Sequence, residues 1–168
     1  MRFRTKLAFV IMIIFLSSCK VYLNEGTRQR IQTNGTEKIE EVQFYNDREI
    51  KLVFKTVSTD EKISGGKVKL KDGYYYYYIT IPKKTPAVAE HLNERQIKVF
   101  FEQGVDRFLV FECFDRSNMG AYYQLSGKNT NDGFYVTFEG KSMKVIEGAS
   151  SLLLMKKNVN VKIERESR

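Results

Sequence analysis

From about residue 40 the side chains alternate between apolar and polar with a period of two. Ile50, Leu52 and Phe54 are interleaved with Lys51, Val53 and Lys55, and Ile97, Val99 and Phe101 with Gln96, Lys98 and Phe100. Phe134, Val136 and Phe138 flank Tyr135 and Thr137, and Val159, Val161 and Ile163 flank Asn160 and Lys162. A helix repeats every 3.6 residues, so this spacing excludes an amphipathic helix and puts one face of each segment on a core as a strand. Phe108 to Phe114 is apolar on both faces except at Glu112, the pattern of a central strand. Asp72-Gly73 and Glu139-Gly140 separate alternating runs and predict tight hairpins, because both turn positions want positive φ. Ser64-Gly65-Gly66 and Asn129 to Gly133 read as loops.

Nine to eleven short strands within residues 40–168 predict an all-β domain, an antiparallel sandwich or a small barrel. One short helix is expected. Thr85 stands before Pro86 and the run Ala87 to Glu94, and Thr at an N-cap followed by Pro is a helix start signal.

The first residues follow other rules. Arg2, Arg4 and Lys6 precede ten apolar residues, Leu7 to Leu16. Ten residues are too few to cross a bilayer, which takes about 20, but they suit the apolar core of an export signal. Leu16-Ser17-Ser18-Cys19 then resembles the lipobox of bacterial lipoproteins. The resemblance implies cleavage after Ser18 and acylation of Cys19, so that the bilayer is a partner through the lipid and residues 1–18 are a signal peptide. Lys20 stands where an aspartate would signal inner-membrane retention, which implies the outer membrane. Val21, Tyr22 and Leu23 follow Lys20 in place of the acidic residues typical of surface export, so the domain is expected to face the periplasm. In general build the chain resembles short Bacteroidetes lipoproteins and the small sandwich subunits of envelope secretion machines. No motif in the domain carries that likeness.

Residues 19–39 hold few apolar side chains and include Asn34-Gly35-Thr36, the composition of a flexible tether. Processing removes three of the 28 basic residues. That leaves 25 basic against 20 acidic residues, a net charge of +5 on 150 residues. Cys113 is then the one remaining thiol, so no intramolecular disulfide is expected.

Several chemistries lack their residues. With His91 the sole histidine and no cysteine cluster, a zinc site is not expected. No Gly-x-Ser-x-Gly turn accompanies His91, which is expected on the surface. Cys113 alternates with Leu109 and Phe111 and reads as a buried, inert thiol. Glu112 with Asp115, and Glu90 with Glu94, read as solvated charge rather than a glycosidase pair. Ser64-Gly65-Gly66-Lys67 is too short for a phosphate loop, and no cofactor motif is present. The basic charge does not imply nucleic acid in an exported chain. It suits an anionic envelope polymer or lipid headgroups.

The unusual feature is Tyr74 to Tyr78, five tyrosines running into Ile79-Thr80-Ile81. In a strand Tyr75, Tyr77, Ile79 and Ile81 share the core face, which leaves Tyr74, Tyr76 and Tyr78 on the other. Tyr135 and Tyr122 point outward by the same logic and extend the candidate binding surface. Tyrosine combines rigid area with a polar tip, which suits a protein partner or the apolar faces of sugars. The expectation is a lipid-anchored envelope binding or assembly module that is not an enzyme. The alternatives are a glycan-binding lipoprotein or a lipocalin-like carrier. A lipocalin normally has a Gly-x-Trp near its first strand, and this chain has no tryptophan.

Overall fold

Alternation along the chain becomes two antiparallel sheets packed face to face. The computed structural model describes residues 20–33, 38–58 and 65–156. Its strands are β1 (Lys20–Tyr22), β2 (Phe44–Asn46), β3 (Ile50–Thr56), β4 (Lys67–Lys71), β5 (Tyr74–Ile81), β6 (Pro86–His91) and β7 (Gln96–Phe100). They continue with β8 (Phe108–Glu112), β9 (Gln124–Leu125), β10 (Lys128–Thr130), β11 (Gly133–Phe138), β12 (Lys141–Glu147) and β13 (Leu153–Lys156). One sheet has seven strands in the order β1-β13-β2-β6-β7-β8-β9, the other six in the order β10-β11-β12-β3-β5-β4. The two sheets make an all-β sandwich, and the seven-stranded one curls back on itself: Gln124 of β9 bridges to Leu152 just before β13, and the Leu125 and Leu153 amides donate to the carbonyls of Ser151 and Tyr123. Cys19 and the alternation at Val159 to Ile163 lie outside the described residues.

The inner faces are filled by the side chains that alternation selects. Phe44, Ile97, Leu109 and Phe111 of one sheet meet Ile50, Leu52, Phe138 and Met143 of the other, all essentially inaccessible to solvent. Burying each such side chain contributes roughly 1.5–3 kcal/mol. Cys113 is fully buried beside them, as its alternation predicts, and burial pushes its thiol pKa up.

Asp72-Gly73 has φ of 51° and 75° and Glu139-Gly140 of 49° and 69°, so both predicted hairpins form. Asn129 to Gly133 is also a hairpin rather than a loop, since Thr130 pairs with Gly133 across β10 and β11. Gly148, at φ 85°, takes the chain past Glu49, where a Cβ would lie 2.3 Å from the Glu49 carbonyl oxygen. Both connections between β2 and β3 and between β5 and β6 pass one corner, pinned by the buried Asn46. Its Nδ2 donates to the carbonyls of Arg48 (2.6 Å) and Pro82 (2.8 Å), and its Oδ1 accepts from the Thr85 amide (2.9 Å).

Two expectations are corrected. Thr85 to Glu94 is not helical. Pro86–His91 is β6, with Ala87 and Ala89 in the core and Val88 and Glu90 outside. Thr85 caps no helix; its hydroxyl donates to the Pro82 carbonyl within a turn. Proline is tolerated at the first residue of a strand, and pairing with β2 and β7 decides the conformation.

Of the expected tether, residues 19–39, the described residues 20–33 and 38–39 are not a loose arm but pack on the domain. Lys20–Tyr22 is an edge strand on β13, and Glu25–Thr33 is a helix, α1. Asn24 caps α1 through its Oδ1 to the Thr27 amide at 2.8 Å. The Glu25 and Gly26 amides donate to the carbonyls of Ala121 and Met119. Leu23 and Ile31 enter the core, as does Ile39 from a 3-10 turn at Ile39–Glu41.

A buried carboxylate completes the attachment of α1. Glu25 is fully inaccessible, and its oxygens accept from Arg28 Nη2 (2.7 Å) and Nε (3.0 Å), Gln29 Nε2 (2.9 Å) and Tyr123 Oη (2.8 Å). Arg116 Nε stands 3.5 Å away. Burial raises the Glu25 pKa, but these hydrogen bonds and the Arg28 charge outweigh it and bring the carboxyl down to about 2.

Candidate functional site

The outer face of the six-stranded sheet is set by register. Antiparallel pairing brings Lys128, Tyr135, Lys144, Val53, Tyr78 and Lys67 into one row across all six strands. Lys55, Tyr76 and Lys69 form a second row, and Lys71 pairs with Tyr74. Lys51 lies opposite Thr80 on the same face. The result is a lattice of lysine and tyrosine, with strands about 4.8 Å apart and same-face residues about 6.8 Å apart along each strand.

The tyrosine run divides as its alternation predicts. Tyr77, Ile79 and Ile81 are buried and Tyr75 packs on the core, while Tyr74 is 37% exposed and Tyr76 and Tyr78 are half-buried. Lysines bear on these rings: Lys55 Nζ lies 3.7 Å from the Tyr74 centroid and 5.7 Å from that of Tyr76, and Lys69 Nζ 5.6 Å from that of Tyr78. The cations support the rings and stay in solvent.

Carboxylates are few here. Lys51 is paired with Glu49 (2.6 Å) and Glu147 (2.7 Å), and Lys144 lies 3.9 Å from Asp132. Among the described residues Lys55, Lys67, Lys69, Lys71 and Lys128 have no ion-pair partner.

Beyond Tyr135 the face runs into a cleft of about 560 Å³ lined by Gln96, Ser126, Lys128, Asp132, Tyr135 and Thr137, among others. Tyr135 donates its hydroxyl to Asp132 at 2.5 Å, and the Thr130 hydroxyl donates to the same carboxylate. Asp132 is thereby held below the usual carboxylate range, by Thr130 first and then Tyr135. Glu112 accepts from Gln96 and Ser126, each at 2.8 Å, so the nearby carboxylate is occupied. Hydroxyls, an amide, a cation and one ring suit a polar ligand held by hydrogen bonds.

Four of the five tyrosines predicted as a binding surface therefore share one face. Tyr122 does not. It bridges to Asn24 beside β1, on the other sheet, with its ring 5.3 Å from that of Tyr22. The lysines were the residues that sequence reasoning missed. Their signal was present in Lys67-Val68-Lys69-Leu70-Lys71, which alternates as cleanly as the tyrosines.

Elsewhere the reactive groups are engaged. His91 is exposed, with its Nε2 3.0 Å from Gln32 Nε2. It borders a cleft of about 330 Å³ whose two arginines are taken up, Arg28 by Glu25 and Arg116 by Glu94 at 2.6 Å. Asp115 accepts from Ser117 within a turn. Among the described residues no three His, Cys, Asp or Glu side chains are grouped to hold a metal, and no helix is long and apolar enough to cross a membrane. No protein-family model, curated protein or solved structure matches the chain.

Proposed function

We propose that this protein is a non-catalytic binding module of the bacterial outer membrane, anchored through an acylated Cys19, whose working surface is the lysine–tyrosine face of the six-stranded sheet. Its partner is an acidic envelope glycan. The observation that carries this is the lattice itself: lysines spaced between tyrosine rings, of which Lys55, Lys67, Lys69, Lys71 and Lys128 have no ion-pair partner among the described residues. Carboxylates or phosphates repeated along a polymer meet the ammonium groups, and sugar C–H faces lie against the rings. The polar cleft past Tyr135 supplies hydrogen bonds at one end of the same track.

Binding of polygalacturonate, an acidic polysaccharide, and of dextran, a neutral one, tests the proposal with the full chain. The acidic polymer is expected to bind and dextran not, with affinity falling about tenfold between 50 and 300 mM salt as the charges are screened. Equal binding of the two, or indifference to salt, overturns it. Capture of an acidic envelope protein with no polysaccharide binding assigns the face to a protein partner instead.

The anchor has its own test. Cys19→Ser is expected to move the protein from the membrane to the soluble fraction, because three acyl chains hold where one is marginal. Unchanged membrane partitioning of the variant overturns the lipoprotein assignment.

A further inference from the structure

The lattice does not account for Tyr122, nor for the surface it shares. Tyr22 and Tyr45 both lie opposite Leu154 on the outer face of the seven-stranded sheet, and the Tyr122 ring packs against that of Tyr22, tilted by 50°. Tyr22 is 42% and Tyr122 48% exposed, large aromatic area for one surface. Lys20 Nζ sits 3.3 Å above the Tyr45 ring. Lys156 is directly opposite Lys20 in the ladder, and the Lys84 charge adds to burial in lowering the Lys20 pKa. Among the described residues none of these three lysines has an ion-pair partner. This is a patch of tyrosine and uncompensated lysine with its own location, on the outer face of the sheet that does not carry the lysine–tyrosine lattice.

The location is informative because of what precedes it. Cys19 is the residue immediately before Lys20, and Lys20 is already in β1. Consecutive Cα atoms are about 3.8 Å apart. No length of chain separates the sandwich from an acyl group on Cys19. A domain so tethered must meet the headgroups, and the surface around β1 is the part that meets them. Tyrosine and lysine are the side chains suited to that zone: the ring sits at headgroup level and the ammonium attracts anionic lipid.

We infer that Tyr22, Tyr45, Tyr122, Lys20 and Lys156 form a membrane-apposed patch that rests on the headgroups of the bilayer holding the Cys19 lipid. The lattice, on the other sheet, is thereby left free for a partner. This rests on the acylation of Cys19 proposed above, and the experiment separates the two.

The chain contains no tryptophan, so one introduced residue is a unique fluorescent probe. Tyr122→Trp and, on the lattice, Tyr76→Trp are made in the full lipidated protein. Each is reconstituted into vesicles of phosphatidylethanolamine and phosphatidylglycerol containing phospholipid brominated high on its acyl chains. Both variants are expected to float with the vesicles, with quenching at least threefold greater at position 122 than at 76. Flotation with equal quenching, or with more at 76, overturns the patch and leaves the anchor standing. Failure of the unsubstituted protein to float overturns both. Tyr22→Trp gives the same measurement on the patch if Tyr122→Trp does not fold.

Discussion

Glu25→Ala is expected to lower the stability of the domain by about 3–5 kcal/mol, the usual effect of removing one partner from a buried ion pair. The reason is what the substitution leaves behind. Arg28 is itself buried, and its Nε and Nη2 both donate to Glu25. Tyr123, also buried, loses the acceptor for its hydroxyl. A buried guanidinium without its counter-ion, keeping only the hydrogen bond from Nη1 to Gln32 (2.6 Å), an unpaired phenol and a new cavity then lie together under α1, whose apolar contribution to the core is small. Chemical denaturation reads the loss as a lower midpoint. A shift of less than 1 kcal/mol would mean that the cluster is solvated and that α1 is held by Leu23, Ile31 and the backbone hydrogen bonds to Ala121 and Met119.

The same carboxylate sets an acid limit. Its pKa falls from 4.5 in the ordinary case to about 2 in the fold, so the folded state holds the ionised form more strongly than the unfolded chain does. The stabilisation is therefore complete above about pH 4.5 and is lost as the pH falls through about 2. Glu25→Gln removes this contribution to the pH dependence. The variant is expected to be less stable than the parent at pH 7 and to converge on it toward pH 2. Parallel stability curves over that range would exclude Glu25 as the source of the acid dependence.

The Glu25 cluster also shows what a sequence hides. Residues 20–39 look like a tether because Glu-Gly-Thr-Arg-Gln-Arg is polar, and polarity normally means solvent. Here Glu25 and Arg28 neutralise one another one turn apart on α1, and the stretch can be buried; nothing local distinguishes that from a solvated pair. Thr85-Pro86-Ala87 failed for a related reason. Its local signals favour a helix, but Asn46, Tyr45 and Val99 are remote in sequence and they decide for a strand. Where the determinants are local the reading succeeds: Asp72-Gly73 forms its hairpin, Cys113 is buried, and the tyrosines split by parity. Parity assigns a face to a strand but not a strand to a sheet. Tyr135 and Tyr122 were equivalent in that sense, and pairing alone sent one to the lattice and the other beside β1.

Reversing charge along the lattice edge is the sharpest test of its role. The triple variant Lys67→Glu, Lys69→Glu, Lys71→Glu is expected to weaken binding of polygalacturonate about a hundredfold. An exposed charge contact is worth about 0.2–1 kcal/mol. Three attractions become three repulsions, six such increments, or about 3 kcal/mol, which is roughly a hundredfold in affinity. The fold should be indifferent. All five residues of β4 are exposed, and among the described residues none of these lysines is in an ion pair. Surface changes of this kind stay within about 0.5 kcal/mol each. The new carboxylates also face Tyr78, Tyr76 and Tyr74 across the ladder, and not other acids, so no like-charge pair is created across the strands. Loss of binding with an unchanged melting profile assigns recognition to the sheet face itself. Retained affinity would move the site off β4, to the cleft beyond Tyr135, where Lys128→Glu should then produce the loss.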